Sequence, residues 1–302
     1  MTAFTPEDVD TAEPILDDHP YGSLVFIANT RQRVLRDEGI SYQSAFTLGV
    51  LGTDIPKNVQ SFVHEALGQD VPQGWDNQIS AGGEPTFRYT LNRQDTLALE
   101  LFPGHPGHDI KTTFSGSVGY ITEVAAGITG RWGIISTPWW SFTPDYAQYI
   151  NLGAPVVAAS RETGRNEFYL WGGLTAQYRI YNALLQGQFR DSAVTFNRDE
   201  LNELLGELSV GVTREFDSNL RVSFTIRALT PELDDAKGLP PVWGCTDYQQ
   251  IGLSDTPGCL CVRHLRYTAA HCLPTREVRK TLAVQPALDC SSTSVHCACH
   301  LL

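Results

Sequence analysis

Three stretches of the chain alternate strictly between apolar and polar positions. From Phe168, one face carries Phe168, Leu170, Gly172, Leu174, Ala176, Tyr178 and Ile180, while the other carries Tyr169, Trp171, Gly173, Thr175, Gln177, Arg179 and Tyr181. The pattern returns as Leu204, Gly206, Leu208, Val210 and Val212 opposite Glu207, Ser209, Gly211, Thr213 and Glu215. It returns again as Leu220, Val222, Phe224, Ile226 and Ala228 opposite Arg221, Ser223, Thr225 and Arg227, after a polar turn at Asp217-Ser218-Asn219. Period-two patterning of this kind predicts β-strands with one greasy and one wet face. Each run is about ten residues, the length of a tilted membrane strand, against about five or six in soluble sheets. Arginine and glutamate two apart on the wet face suit a hydrated barrel lumen better than a soluble core. A soluble antiparallel sheet with one solvated face alternates in the same way; strand length favours the membrane barrel.

Further strands are predicted at Ser23–Thr30, Gln43–Leu51, Pro85–Arg93, Thr96–Phe102, Thr113–Glu123 and Val124–Trp132. Pro138 to Arg165, rich in Pro, Gly, Tyr and Trp, reads as a long loop, and long loops on a barrel commonly lie on its outer side. Within it, Trp139, Trp140, Tyr146 and Tyr149 fit either an interfacial aromatic girdle or ordinary loop packing. One segment breaks the strand pattern. Asp54 reads as an N-cap, Pro56 stands in a first turn, Val59, Phe62, Val63 and Leu67 follow at helical spacing, and Gly68 closes a short helix near 56–68. The fold predicted is all-β, an antiparallel transmembrane β-barrel with that one inserted helix.

Composition narrows the choice. Aromatics are 10% and charged residues 19%, with 26 glycines and a single methionine, a profile far from that of helical proteins. A net charge of −12 argues against nucleic acid as a partner. No stretch approaches the roughly 18–20 apolar residues of a transmembrane helix, which leaves a strand-built span open. Met1 is followed by Thr-Ala-Phe-Thr-Pro-Glu-Asp, which is no signal peptide and taken alone suits a cytosolic protein. All seven cysteines fall between Cys245 and Cys299. A cysteine-free barrel over 1–244, truncated at its N-terminus, is therefore expected to precede a distinct cysteine-rich tail over 245–302. Its CxC pairs and neighbouring histidines fit no common zinc module, so a disordered, frameshifted or foreign segment is favoured over a metal-binding appendage.

Chemistry is sought where the strand pattern breaks. Gln60 and His64 stand four apart, on one helical face. A histidine there could act as general base on water, and a glutamine amide one turn away could donate to an oxyanion. On spacing alone, a surface histidine beside a surface glutamine is the commoner outcome. Around the pair, however, the chain resembles the lipid A 3'-O-deacylase family of the outer membrane. The runs that carry the resemblance are Gly49-Val50-Leu51-Gly52, Val59-Gln60-Ser61-Phe62-Val63-His64 and Gly74-Trp75-Asp76-Asn77-Gln78. Upstream, Phe4–Asp8 and Asp18-His19-Pro20-Tyr21-Gly22 are similar to the family's "YTP-D" and "DRPYAG" runs, and Phe189-Arg190-Asp191-Ser192 to its "FRDS". The similarity spans about residues 4 to 243.

This resemblance implies a twelve-stranded barrel, here incomplete, that hydrolyses the 3'-acyloxyacyl ester of lipid A with calcium. It implies that His64 activates the water and that Gln60 beside it positions the ester or its oxyanion. Trp75, Asp76 and Asn77 belong to a motif without an assigned role. Lipopolysaccharide and the outer membrane are the partners implied. The chain departs from the family at both ends. The early strands that supply the calcium ligands have no counterpart here, nor does an expected lysine near Thr5–Asp10, and no clean final strand follows Val242-Trp243-Gly244. A catalytically inactive barrel or barrel fragment is the alternative reading.

Overall fold

The computed structural model describes residues 2–6, 8–68, 70–102, 105–142, 166–216, 220–234, 243–249 and 264–267. Its strands are β1 (Thr2–Phe4), β2 (Gly22–Leu35), β3 (Ile40–Leu51), β4 (Glu84–Phe102), β5 (His105–Gly119) and β6 (Ile121–Ile134). They continue with β7 (Phe168–Asn182), β8 (Leu204–Glu215), β9 (Leu220–Leu229), β10 (Trp243–Gln249) and β11 (His264–Tyr267). Two helices interrupt them, α1 (Asp54–Leu67) and α2 (Ala183–Gln186). Every strand pairs with its chain neighbour, so the order runs β1 to β11 without a crossover and leaves β1 and β11 as edges. The antiparallel all-β architecture and the inserted helix are as the alternation predicts.

Alternation also sets which face goes where. On β7, Tyr169, Trp171, Gln177 and Arg179 are buried, while Phe168, Leu170, Leu174, Tyr178 and Ile180 are exposed. This inverts a soluble sheet: the polar face is inside and the greasy face outside. The sheet curls enough for side chains far apart in strand order to meet. Leu24, Phe26 and Ala28 of β2 pack on Tyr120, Ile121, Ala183 and Leu184 beyond β5 and β7. Elsewhere the concave side is filled by ion pairs. Glu123 accepts from Arg88 and Arg179, each at 2.9 Å, and Arg179 also pairs with Glu232. Arg131, fully buried, is held by Asp109 and Thr137. Charges removed from water in this way are tolerable because each has its partner.

Three expectations about the elements are corrected. The separate strands at Pro85–Arg93 and Thr96–Phe102 are one, β4: the polar pair between them, Gln94 and Asp95, stays in register opposite Thr113 and Thr112 of β5, and the strand runs through. The strand at Thr113–Glu123 is instead a hairpin. At Gly119 the backbone turns with φ 131°, where a Cβ would stand 2.0 Å from the Phe87 carbonyl oxygen, and only glycine fits. Asp54 is not the N-cap: Thr53 holds that position in extended conformation, after Gly52 has already turned the chain at φ 69°. Gly68 does close α1, left-handed at φ 67°. The turn at 217–219 and residues 143–165 of the long loop, with Tyr146 and Tyr149, lie outside the described residues. So does the tail beyond 249, apart from β11; β10 crosses the boundary expected at 244.

Candidate functional site

Helix α1 begins where β3 ends, so it stands at the rim shared by the starts of β2 and β4 and the β5–β6 hairpin. The long β6–β7 loop leaves from the opposite rim. Its Trp140 lies under the Arg36 guanidinium at the β2–β3 turn, and the carbonyl of Trp139 accepts from Lys111. Trp139 itself is buried and meets Trp140 edge-on at 5.7 Å, which is loop packing rather than a girdle.

Along α1, Lys57, Gln60 and His64 form one stripe, three and four residues apart. The motif Gly74–Asn77, a short 3-10 turn, packs beneath it. Trp75 is completely buried against Tyr21, with ring centroids 5.1 Å apart, and donates its indole N–H to Gln60 Oε1 at 3.0 Å. Gln60 is itself buried. With its oxygen engaged, the amide NH2 is the end of Gln60 left to act as a donor. Gly74 is small for a reason: a Cβ there would come within 2.4 Å of the Tyr21 ring. That ring's hydroxyl is shifted towards higher pKa by burial first, with the nearby carboxylates Asp8 and Asp10 adding to it and the Gly74 backbone opposing it.

The rest of the motif ties the turn to its surroundings. Lys57 Nζ meets Asp76 Oδ1 at 2.8 Å, and that hydrogen bond holds the exposed Asp76 carboxyl below its ordinary range. Asn77 donates to the Ala12 carbonyl at 2.8 Å. Gln78 accepts from Ser23 at 2.9 Å and reaches Asp54 at 3.4 Å, fastening β2, the turn and the helix start together. Trp75, Asp76 and Asn77 thus anchor α1 against the barrel wall.

His64, one turn beyond Gln60 on the same stripe, is half-buried. Its Nδ1 lies 2.6 Å from the Asp70 carbonyl oxygen, an atom that can only accept. Nδ1 therefore carries the proton in the neutral ring, and Nε2 carries the lone pair. Spacing had put Gln60 and His64 on one face; what it could not reveal is that each is pinned by a different partner. Lys57 and Asp70 were missed. Lys57 had a usable signal, standing seven residues before His64 on the same stripe, whereas a backbone carbonyl such as that of Asp70 leaves none.

The model for outer membrane protein LpxR matches residues 2–247. The chain belongs to the LpxR family. No curated protein matches it. Among solved structures, LpxR from Salmonella typhimurium is similar at a TM-score of 0.60 and 16% identity, over 76% of this chain and 75% of that chain. At that identity the likeness to the Salmonella LpxR speaks for the fold, a barrel relative of this curled sheet. The LpxR match also reaches three residues past the expected boundary at 244, into β10.

Calcium is the cation that the family resemblance implies, and the described residues do not fit it. Among them no three His, Cys, Asp or Glu side chains are grouped closely enough to hold a metal. Hard cations of this kind take six to eight oxygen ligands. Asp76, the carboxylate nearest the anchor, is already taken by Lys57.

Proposed function

We propose that the chain is a carboxylic ester hydrolase of the outer membrane that removes the 3'-acyloxyacyl group of lipid A. The observation that carries this reading is the state of His64. Its Nδ1–H is spent on the Asp70 carbonyl, so Nε2 is the atom free to take a proton. A water held at Nε2 loses that proton as it attacks the ester carbonyl. The carbonyl oxygen gains charge in the tetrahedral intermediate, and the Gln60 amide, one turn away, is the donor suited to meet it. His64 then returns the proton to the leaving alkoxide, which departs as the sugar hydroxyl, and the acid product carries the water oxygen. Trp75 positions Gln60 through the buried hydrogen bond and does not touch substrate.

Membership of an outer-membrane family and the greasy outer face support lipopolysaccharide as the substrate pool. The family resemblance alone supports a calcium requirement. Mass spectrometry of lipid A from cells that express the chain tests the function. Loss of a 3'-acyloxyacyl group, abolished by chelating calcium, is the expected result. Unchanged lipid A from well-expressed, membrane-inserted chain would leave the inactive barrel as the correct reading. Deacylation that persists in chelator would remove calcium from the account and keep the hydrolase.

A further inference from the structure

On the outer face, away from α1, the sheet carries a depression of about 740 Å³ across β2 to β5. Its floor is set by pairing. Arg31 stands opposite Ser44, Ser44 opposite Leu91, and Leu91 opposite Gly116, so the small residues Ser44 and Gly116 lower that row on either side of Leu91. In the next row Arg33 opposes Tyr42, Tyr42 opposes Arg93, and Arg93 opposes Phe114. Three guanidiniums and three apolar or aromatic walls therefore share one hollow on the side of the sheet that is otherwise greasy.

The charge balance of the hollow is uneven. Arg93 is held by Asp95 at 2.7 Å and lies 5.9 Å from the Tyr42 ring centroid. Arg31 and Arg33 are exposed, and among the described residues neither has a carboxylate within ion-pair distance. Exposed arginine beside aromatic rings is out of place in hydrocarbon and at home where phosphates meet acyl chains. Depth agrees. Arg33 lies nine residues along β2 from Leu24 at the α1 rim, roughly 30 Å of strand. With the usual strand tilt this is about the height of a barrel's apolar band, about 25 Å. The hollow thus lies at the membrane interface opposite α1.

We propose that this hollow is a binding site for one phospholipid, its phosphate held by Arg31 and Arg33 and its acyl chains laid on Leu91 and Phe114. Guanidinium pairs a phosphate oxygen through parallel N–H groups, which a lysine cannot reproduce. A free phosphate would gain the charge contact but nothing from the apolar walls, so the lipid is the favoured source. The proposal needs the outer face to lie in lipid and does not depend on the ester chemistry at α1.

The test is native mass spectrometry of the full chain in detergent, offered short-chain phosphatidylglycerol, diacylglycerol of the same chains, or inorganic phosphate. One phosphatidylglycerol should be retained, diacylglycerol should not, and millimolar phosphate should fail to displace the lipid. Arg31→Gln/Arg33→Gln should weaken retention by about tenfold or more, and Arg31→Lys/Arg33→Lys should fall between. Equal retention of phosphatidylglycerol by the glutamine variant, or of diacylglycerol by the native chain, would overturn the site. Displacement by phosphate would overturn the lipid as ligand. If the glutamine variant loses its far-ultraviolet β-signal, the lysine variant decides: retention equal to that of the native chain would count against bidentate phosphate binding.

Discussion

The indole N–H of Trp75 and the amide oxygen of Gln60 are both shielded from water, so removing either orphans the other. Trp75→Phe keeps most of the ring's volume and deletes the donor. It should cost about 1–3 kcal/mol in urea unfolding, and Gln60→Leu added to it should recover part of that loss. The clasp between Lys57 and Asp76 behaves differently because it is exposed. Its hydrogen bond lowers the Asp76 carboxyl below the reference value of 3.8. A depressed folded-state value means that the contribution is complete above that reference and disappears as the pH falls through the lower folded value. Lys57→Met should return the Asp76 titration towards 3.8, as followed by carbon NMR. Little of this residue-level detail was legible beforehand. The Gly-Trp-Asp-Asn run stood out as a motif, yet its role depends on what lies beneath a helix some fifteen residues earlier in the chain.

At the scale of elements, α1 depends on one glycine. At Gly52 the backbone has φ 69°, and a Cβ would stand 1.9 Å from the Ser80 carbonyl oxygen. Gly52→Ala therefore has to move the helix or the loop below it, while the sheet registers on either side need not change. The expected outcome is a fall in lipid A hydrolysis of about 100-fold, since small misplacements of catalytic groups are costly. The β circular dichroism should be unchanged. The elements themselves were largely readable. Strands β7, β8 and β9 alternate without interruption and were placed almost to the residue, and the αL glycine at 68 marked the helix end. The readings that failed did so where a glycine turned the chain inside an apolar run, at Gly119, or where regular pairing carried a strand through a polar patch, as at Gln94 and Asp95 of β4. Period-two patterning detects neither.

For the whole molecule, the two faces of the sheet make opposite demands. Leu174 is exposed on the outer face near the middle of β7, and a charge there would meet hydrocarbon. Leu174→Arg should cost about 2–4 kcal/mol in vesicle-based unfolding. On the concave side Glu123 joins Arg88 to Arg179. Glu123→Leu would leave two buried cations without their shared partner and should cost about 3–5 kcal/mol. The greasy-out, charged-in arrangement is the part of the molecule most legible in the sequence. The position of the long β6–β7 loop on the rim opposite α1 was not, because rim assignment requires counting every strand, and the single strand β4 reads as two in the sequence. The central claim is that His64 is the base, and lipid A from cells expressing the native chain or His64→Ala at equal membrane levels tests it most directly. Mass spectra should show loss of the 3'-acyloxyacyl group with the native chain only. Equal deacylation by His64→Ala would contradict the account.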